Sequence, residues 1–164
     1  MLQESMDLLA EVEELHDFLQ TLDESDWARP TGFMNWTPWD VVAHLHFFDL
    51  VSQTALEGEA PFKQRADSLI RSISQGMTNA EIARKEFGDI SPADLLERWT
   101  TTCRSMATAL GESNAKRRLP WFGPDMGVRM FTTARYMETW AHSQEVYDLK
   151  GTKRTYNDRI KNVA

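Results

Sequence analysis

The residues of this 164-residue chain best suited to chemistry are two histidines and a glutamate from distant stretches: His44, Glu138 and His142. Glu138 and His142 are four positions apart, which on a helix puts their Cβ atoms about 6 Å apart on one face. Both side chains can then converge on one ion. His44 falls by spacing inside an apolar stripe of Val41, Leu45 and Phe48, and a buried imidazole needs a partner for each ring nitrogen. Three protein ligands with a vacant position mark the catalytic kind of zinc site, whereas structural sites are filled by four. Two histidines and a carboxylate also suit iron(II), nickel or manganese, so the donors alone do not name the metal. Each piece has a plain structural reading as well. His44 would serve as a core histidine bonded to a carbonyl or carboxylate, and Glu138 with His142 as a helix-supporting pair on a solvent-facing stripe.

The neighbours extend the constellation. Arg135 and Glu145 lie three residues before Glu138 and three after His142 on the same face. Arg135 is expected either to orient Glu138 or to bind an anionic substrate group. Against a solvent-facing stripe stand Phe131, Met137, Trp140, Val146 and Tyr147, which leave that helix little polar surface. Trp36 and Trp140 are expected to frame the site or to act as core anchors. If the ion activates bound water, Glu145 or Asp49 would have to reach it as general base. His46 is about 200° around the helix from His44, so it is expected on a polar surface with Asp49 and Gln53. His16, among acidic residues, is expected to be exposed. Cys103 lies on an apolar stripe, which favours an inert buried thiol over a nucleophile. The sequence holds no Gly-x-Ser-x-Gly, no phosphate-cradling glycine loop and no cysteine pair for zinc.

Positioning these residues falls to helices. Leu8, Val12, Leu15, Leu19 and Leu22 recur at alternating spacings of four and three, one apolar stripe on a first helix. A polar stretch with Pro30 and Gly32 interrupts it. Thr37-Pro38-Trp39-Asp40 reads as a capping box with Pro at the first helical position. The second helix should run from there to about Leu56, stopped by Gly58. Ser91-Pro92-Ala93-Asp94 starts a third, carrying Trp99, Cys103, Met106 and Leu110 and ended by Gly111. A fourth follows Pro124-Asp125 and reaches about Leu149, closed by Lys150-Gly151. Residues 64–75 and 79–87 read as shorter helices, the latter opened by Thr78-Asn79-Ala80-Glu81. No segment alternates with the period of a strand. The expectation is an all-α four-helix bundle over residues 1–151, with extra helices between the second and third, and a polar tail over 152–164.

Composition narrows the class. The apolar residues make up 41% of the chain, and no window approaches the roughly 18 consecutive apolar residues of a membrane span. The acidic start lacks the layout of a secretory signal. The net charge of −7 opposes phosphate backbones, and Lys116-Arg117-Arg118 is too short a basic run for nucleic acid and reads as a solvated loop. A single cysteine excludes an internal disulfide and fits a reducing cytoplasm. No nucleic-acid or membrane partner is expected, and a homodimer is left open.

Two segments carry a family likeness. Asn35-Trp36-Thr37-Pro38-Trp39-Asp40-Val41-Val42-Ala43-His44-Leu45 resembles the Trp-Thr-x-x-Asp-x-x-x-His-Leu segment of the DinB-like superfamily, closest to its mycothiol-dependent maleylpyruvate isomerase branch. Arg135-x-x-Glu138-x-Trp140-x-His142 resembles the second metal-binding segment of that branch. The resemblance implies an up-down-down-up bundle holding one divalent metal, often zinc, with His44, Glu138 and His142 as ligands by matched position. It also implies a low-molecular-weight thiol as co-substrate, whose thiolate attacks an electrophile in a transferase or isomerase reaction. Proteins of the isomerase type carry a further C-terminal domain, whereas these residues reach little past the fourth helix. The competing expectations are a non-catalytic metal-binding bundle and a hydrolase using metal-activated water.

Overall fold

The computed structural model describes residues 1–162. Four long helices form the body: α1 (Gln3–Leu19), α3 (Pro38–Glu57), α6 (Pro92–Glu112) and α7 (Val128–Leu149). Between them lie α2 (Glu24–Trp27), α4 (Glu59–Ser74), α5 (Asn79–Phe87) and two short strands, β1 (Arg118–Leu119) and β2 (Met126–Gly127). A 3-10 turn covers Asp158–Asn162.

The long helices form a square in which α1 and α3 each pack on both α6 and α7. Cross-links fix their directions. The Ser5 hydroxyl donates to the Ala107 carbonyl and Arg104 pairs with Glu13, so α1 and α6 run antiparallel. Arg129 pairs with Glu4 while Phe18 stacks on Tyr147, so α1 and α7 run parallel. His44 faces His142 and Asp49 faces Arg135, so α3 and α7 run antiparallel. The order is therefore up-down-down-up, as expected.

Local chemistry explains the starts. Thr37, Thr78 and Ser91 each accept the amide of the residue three positions on, a cap whose loss typically costs about 1 kcal/mol. Asp40 completes the Thr37 box by accepting the Thr37 amide. The core lies between the long helices, with Leu8, Leu15, Leu45, Trp99, Met106, Leu110 and Phe131 fully enclosed.

Several expected boundaries move. α1 ends at Leu19, and Leu22 packs into the core from the turn beyond it. The interrupting stretch contains α2, capped by Asp23. α4 begins at Glu59, not 64, because Gly58 at φ 135° redirects the chain in one residue. The fourth long helix begins at Val128, since residues 126–127 pair with 118–119 in a two-residue ladder too short to show any alternation. The basic triplet is not a plain solvated loop. Arg117 donates to the Leu56 carbonyl, and Arg118 pairs with Asp125 across the hairpin. The tail is docked through its described residues: Arg154 pairs with buried Glu11, and Arg159 reaches Glu11 and Glu14. Residues 163–164 of the expected tail lie outside the described residues.

α6 packs tightly on α1 at Gly111, where an added Cβ would fall 2.8 Å from Ser5 Cβ. Alanine raises helix propensity by up to about 1 kcal/mol, but overpacking costs roughly 1–3 kcal/mol and Ser5 Cβ cannot swing aside. Gly111→Ala is expected to lower the urea midpoint, and a raised midpoint would contradict this packing.

Candidate metal centre

His44 stands on α3 seven residues after the Thr37 cap, and Glu138 with His142 stands on the facing turns of antiparallel α7. The Glu138 Oε2 atom lies 3.3 Å from His142 Nε2 and 3.8 Å from His44 Nε2. One donor atom from each of the three lies within 4.8 Å of the other two. Ligands about 2.0–2.2 Å from a tetrahedral ion stand roughly 3.4 Å from each other, so the donor set fits one cation with small side-chain rotations. His142 Nδ1 is 3.2 Å from Glu145 Oε1, which leaves Nε2 to face the centre. A carboxylate behind a ligand imidazole is the usual arrangement for fixing its tautomer.

The charges suit a cation. Bonds to His142 and His44 hold the Glu138 carboxyl well below the usual carboxylate range, against burial. Burial alone would depress His142, yet bonding to Glu138 and Glu145 raises it to about 9. Burial pushes His44 down, aided by the charge of His142.

Two further features hold the geometry. Asp49 and Arg135 are buried between α3 and α7, with Arg135 Nε and Nη2 at 3.1 and 3.0 Å from Asp49 Oδ1. Trp99 Nε1 donates to the other Asp49 oxygen at 3.1 Å. The second feature is the turn before α3. Met34 and Asn35 both adopt left-handed φ values of 49° and 58°, a conformation uncommon outside glycine. The Thr31 amide donates to the Trp36 carbonyl and the Trp36 amide to the Phe33 carbonyl. This turn stacks Trp36 on His142 at 5.6 Å and sets it 4.9 Å from His44, with Phe33 edge-on to His142.

The three donors open into a cleft of about 660 Å³. Its far wall is the β1–β2 loop carrying Trp121 and Phe122, with Phe48 of α3 between loop and histidines.

Several expected placements change. Arg135 is bonded to Asp49 instead of Glu138, which it influences through charge. Glu145 and Asp49 are not at the open face: one backs His142 and the other is enclosed by Arg135 and Trp99. Trp36 frames the site, whereas Trp140 lies under the Arg154 guanidinium, 5.0 Å away. Met137 is exposed at the cleft, not part of a buried helix face. His46 and Asp49 are buried, not on a polar surface with Gln53, and His46 stacks on Phe87 of α5. His16 is partly covered and pairs with Asp17. Cys103 is buried as expected, its thiol pKa pushed up by burial. The loop aromatics Trp121 and Phe122 were not singled out from sequence, although two large rings inside Pro120–Pro124 are a visible signal.

The profile of the mycothiol maleylpyruvate isomerase N-terminal domain family matches residues 8–147. The chain belongs to this family. Its up-down-down-up bundle superposes on the crystal structure of a mycothiol-dependent maleylpyruvate isomerase with a TM-score of 0.68 at 12% identity, covering 98% of this chain and 65% of that one. A mutant of that enzyme gives 0.66 at 13% identity with the same coverage. Two uncharacterized proteins from two strains of Mycobacterium tuberculosis are each 34% identical over 158 residues, 96% of this chain and 60% of theirs. The chain thus spans about three fifths of the curated relatives it matches. Among the described residues no helix is long and apolar enough to cross a membrane.

Because His142 is raised to about 9 in the ion-free protein, it carries a proton at neutral pH that a metal would displace. Zinc titration at pH 7, by calorimetry in buffers of different ionisation enthalpy, is expected to release about one proton per ion. Uptake with no proton release would contradict these electrostatics.

Proposed function

We propose that this chain is a divalent-metal-binding enzyme domain that joins a low-molecular-weight thiol to an electrophilic small molecule, as a transferase or an isomerase. The observation that carries this is the convergence of His44, Glu138 and His142 at the edge of a ligand-sized cleft. Family membership supports the thiol, because the solved enzyme sharing this fold is mycothiol-dependent. Zinc is the metal this reading favours, with nickel, iron(II) and manganese also suited to the donor set. A bound dication supplies positive charge that lowers the pKa of a thiol or water in its open position.

The chain's own residues orient and enclose. Glu145 holds the His142 ring by Nδ1, while Trp36 and Phe33 cover the imidazoles from solvent. The Asp49–Arg135 pair fixes α7 against α3. In the proposed reaction the thiolate sulfur forms a bond to an electron-poor alkene carbon, and the double-bond pair shifts to the conjugated carbonyl oxygen. Uptake of a proton at the adjacent carbon completes transfer. Rotation about the former double bond, now single, then return of the electron pair with expulsion of the thiolate, completes isomerisation.

A thiol is favoured over water because the hydrolytic alternative needs a general base at the open face. Glu145 is engaged by His142 and Asp49 by Arg135 and Trp99. A purely structural ion would call for a fourth protein ligand, and among the described residues the cluster comprises three.

The test is thiol consumption by zinc-loaded protein against a panel of activated alkenes. His44→Ala and Glu138→Gln are each expected to lower kcat/KM on the order of a hundredfold, in step with lost zinc, since metal charge stabilisation is worth several kcal/mol. Full activity in His44→Ala, or turnover at the same rate without thiol, would overturn the reading.

A further inference from the structure

We infer that the second substrate of this cleft is an uncharged electrophile bearing an aromatic or bulky apolar group, and not a dicarboxylate. The inference rests on the thiol-transfer reading above and concerns the face of the cleft opposite the three donors.

That face is a built aromatic wall. Trp121 packs edge-on to Phe131 at 5.0 Å and stacks near Phe62 at 5.7 Å. Phe122 contacts Phe62 at 5.3 Å and reaches Phe48 at 6.5 Å, and Phe48 lies 5.0 Å from His44. An unbroken run of rings therefore leads from the candidate ligands to the loop. The wall is held in place. The β1–β2 ladder closes the loop, and Arg118 clamps Asp125 through Nε at 2.8 Å and Nη2 at 3.3 Å. Phe122 nonetheless remains partly exposed at the cleft. Rigid aromatic surface facing a ligand-sized cavity is what an apolar or aromatic group recognises.

Charge points the same way. Two guanidiniums line the cleft, and each is matched by a buried aspartate. Arg84 places Nε and Nη2 on the two oxygens of Asp40 at 2.7 and 2.6 Å, and Arg135 is bonded to Asp49. The carboxylates of Glu81 and Glu138 then add two negative charges to the lining. A bound dication balances those two charges and leaves no surplus. A substrate with two carboxylates would enter a lining whose two guanidiniums are each already charge-paired with an aspartate, an arrangement that desolvation penalises. An uncharged electrophile meets no such penalty, and its carbonyl needs only a hydrogen bond or the ion itself.

Calorimetric titration of the zinc-loaded protein with benzylideneacetone, an uncharged aromatic enone, and with maleate dianion tests this directly. The enone is expected to bind at least tenfold more tightly than maleate. Trp121→Ala and Phe122→Ala are each expected to weaken the enone several-fold, whereas Trp121→Phe, which keeps a ring in the wall, retains most of the affinity should Trp121→Ala fail to fold. Maleate binding as tightly as the enone, maleate affinity that disappears in Arg84→Gln, or no binding of either probe would overturn the inference. The same titrations on zinc-free protein separate the two claims. Failure to take up zinc sinks the metal reading, while the preference between the two probes is still read.

Discussion

The buried Asp49–Arg135 pair between α3 and α7 is the constraint on which the site depends. Three donor atoms from two helices approach within a few ångströms only if the helices keep one register. A slip of one residue moves a side chain about 1.5 Å along the axis and turns it about 100°, which would carry Glu138 away from both imidazoles. Arg135 is three residues before Glu138, and Asp49 is five after His44, so the pair pins that register beside the donors. Trp99 of α6 satisfies the remaining Asp49 oxygen and ties in a third helix. Leaving either charge buried without the other would cost about 3–5 kcal/mol. The pair therefore resists any sliding of α7 on α3.

Around this scaffold the polar groups are arranged in order of function. Glu138 lies between the two imidazoles, Glu145 lies behind one of them, and Asp49 and Arg135 lie beneath. The strained turn at Met34–Asn35 adds the aromatic roof. Two adjacent residues in the left-handed region cost free energy, of order 1–3 kcal/mol each, and here they place Trp36 against both histidines. Burial lowers both imidazoles, but His142 is raised by its bonds to Glu138 and Glu145, whereas His44, farther from Glu138 and out of contact with Glu145, stays depressed.

Much of this architecture is legible in the residues themselves. The caps at Thr37, Thr78 and Ser91 mark three helix starts because each hydroxyl accepts an amide three positions later. Apolar spacing marks the first three long helices and flanking Pro124 and Gly151 the fourth, and the Glu138–His142 spacing with the two family-like segments points to the donors. Pairings across the bundle are not legible. Arg135 and Glu138 share a face of α7, so sequence suggests that one serves the other, yet the partner of Arg135 comes from α3, 86 positions earlier. Likewise His46 looks exposed by its position relative to the α3 core stripe, and becomes buried because α5 packs over it through Phe87. The two-residue ladder that sets Trp121 and Phe122 on the cleft is too short to leave a periodic trace.

The chain belongs to a family whose solved relative extends well beyond the region shared here, and the shared bundle contains the whole three-donor set. Zinc K-edge absorption spectroscopy on the purified, zinc-loaded protein tests that set most directly. The account predicts a four-coordinate shell with two imidazole signatures and light-atom bonds at about 2.0–2.2 Å, reduced to one imidazole in His142→Ala. A shell without imidazole, or one unchanged by that substitution, would contradict it.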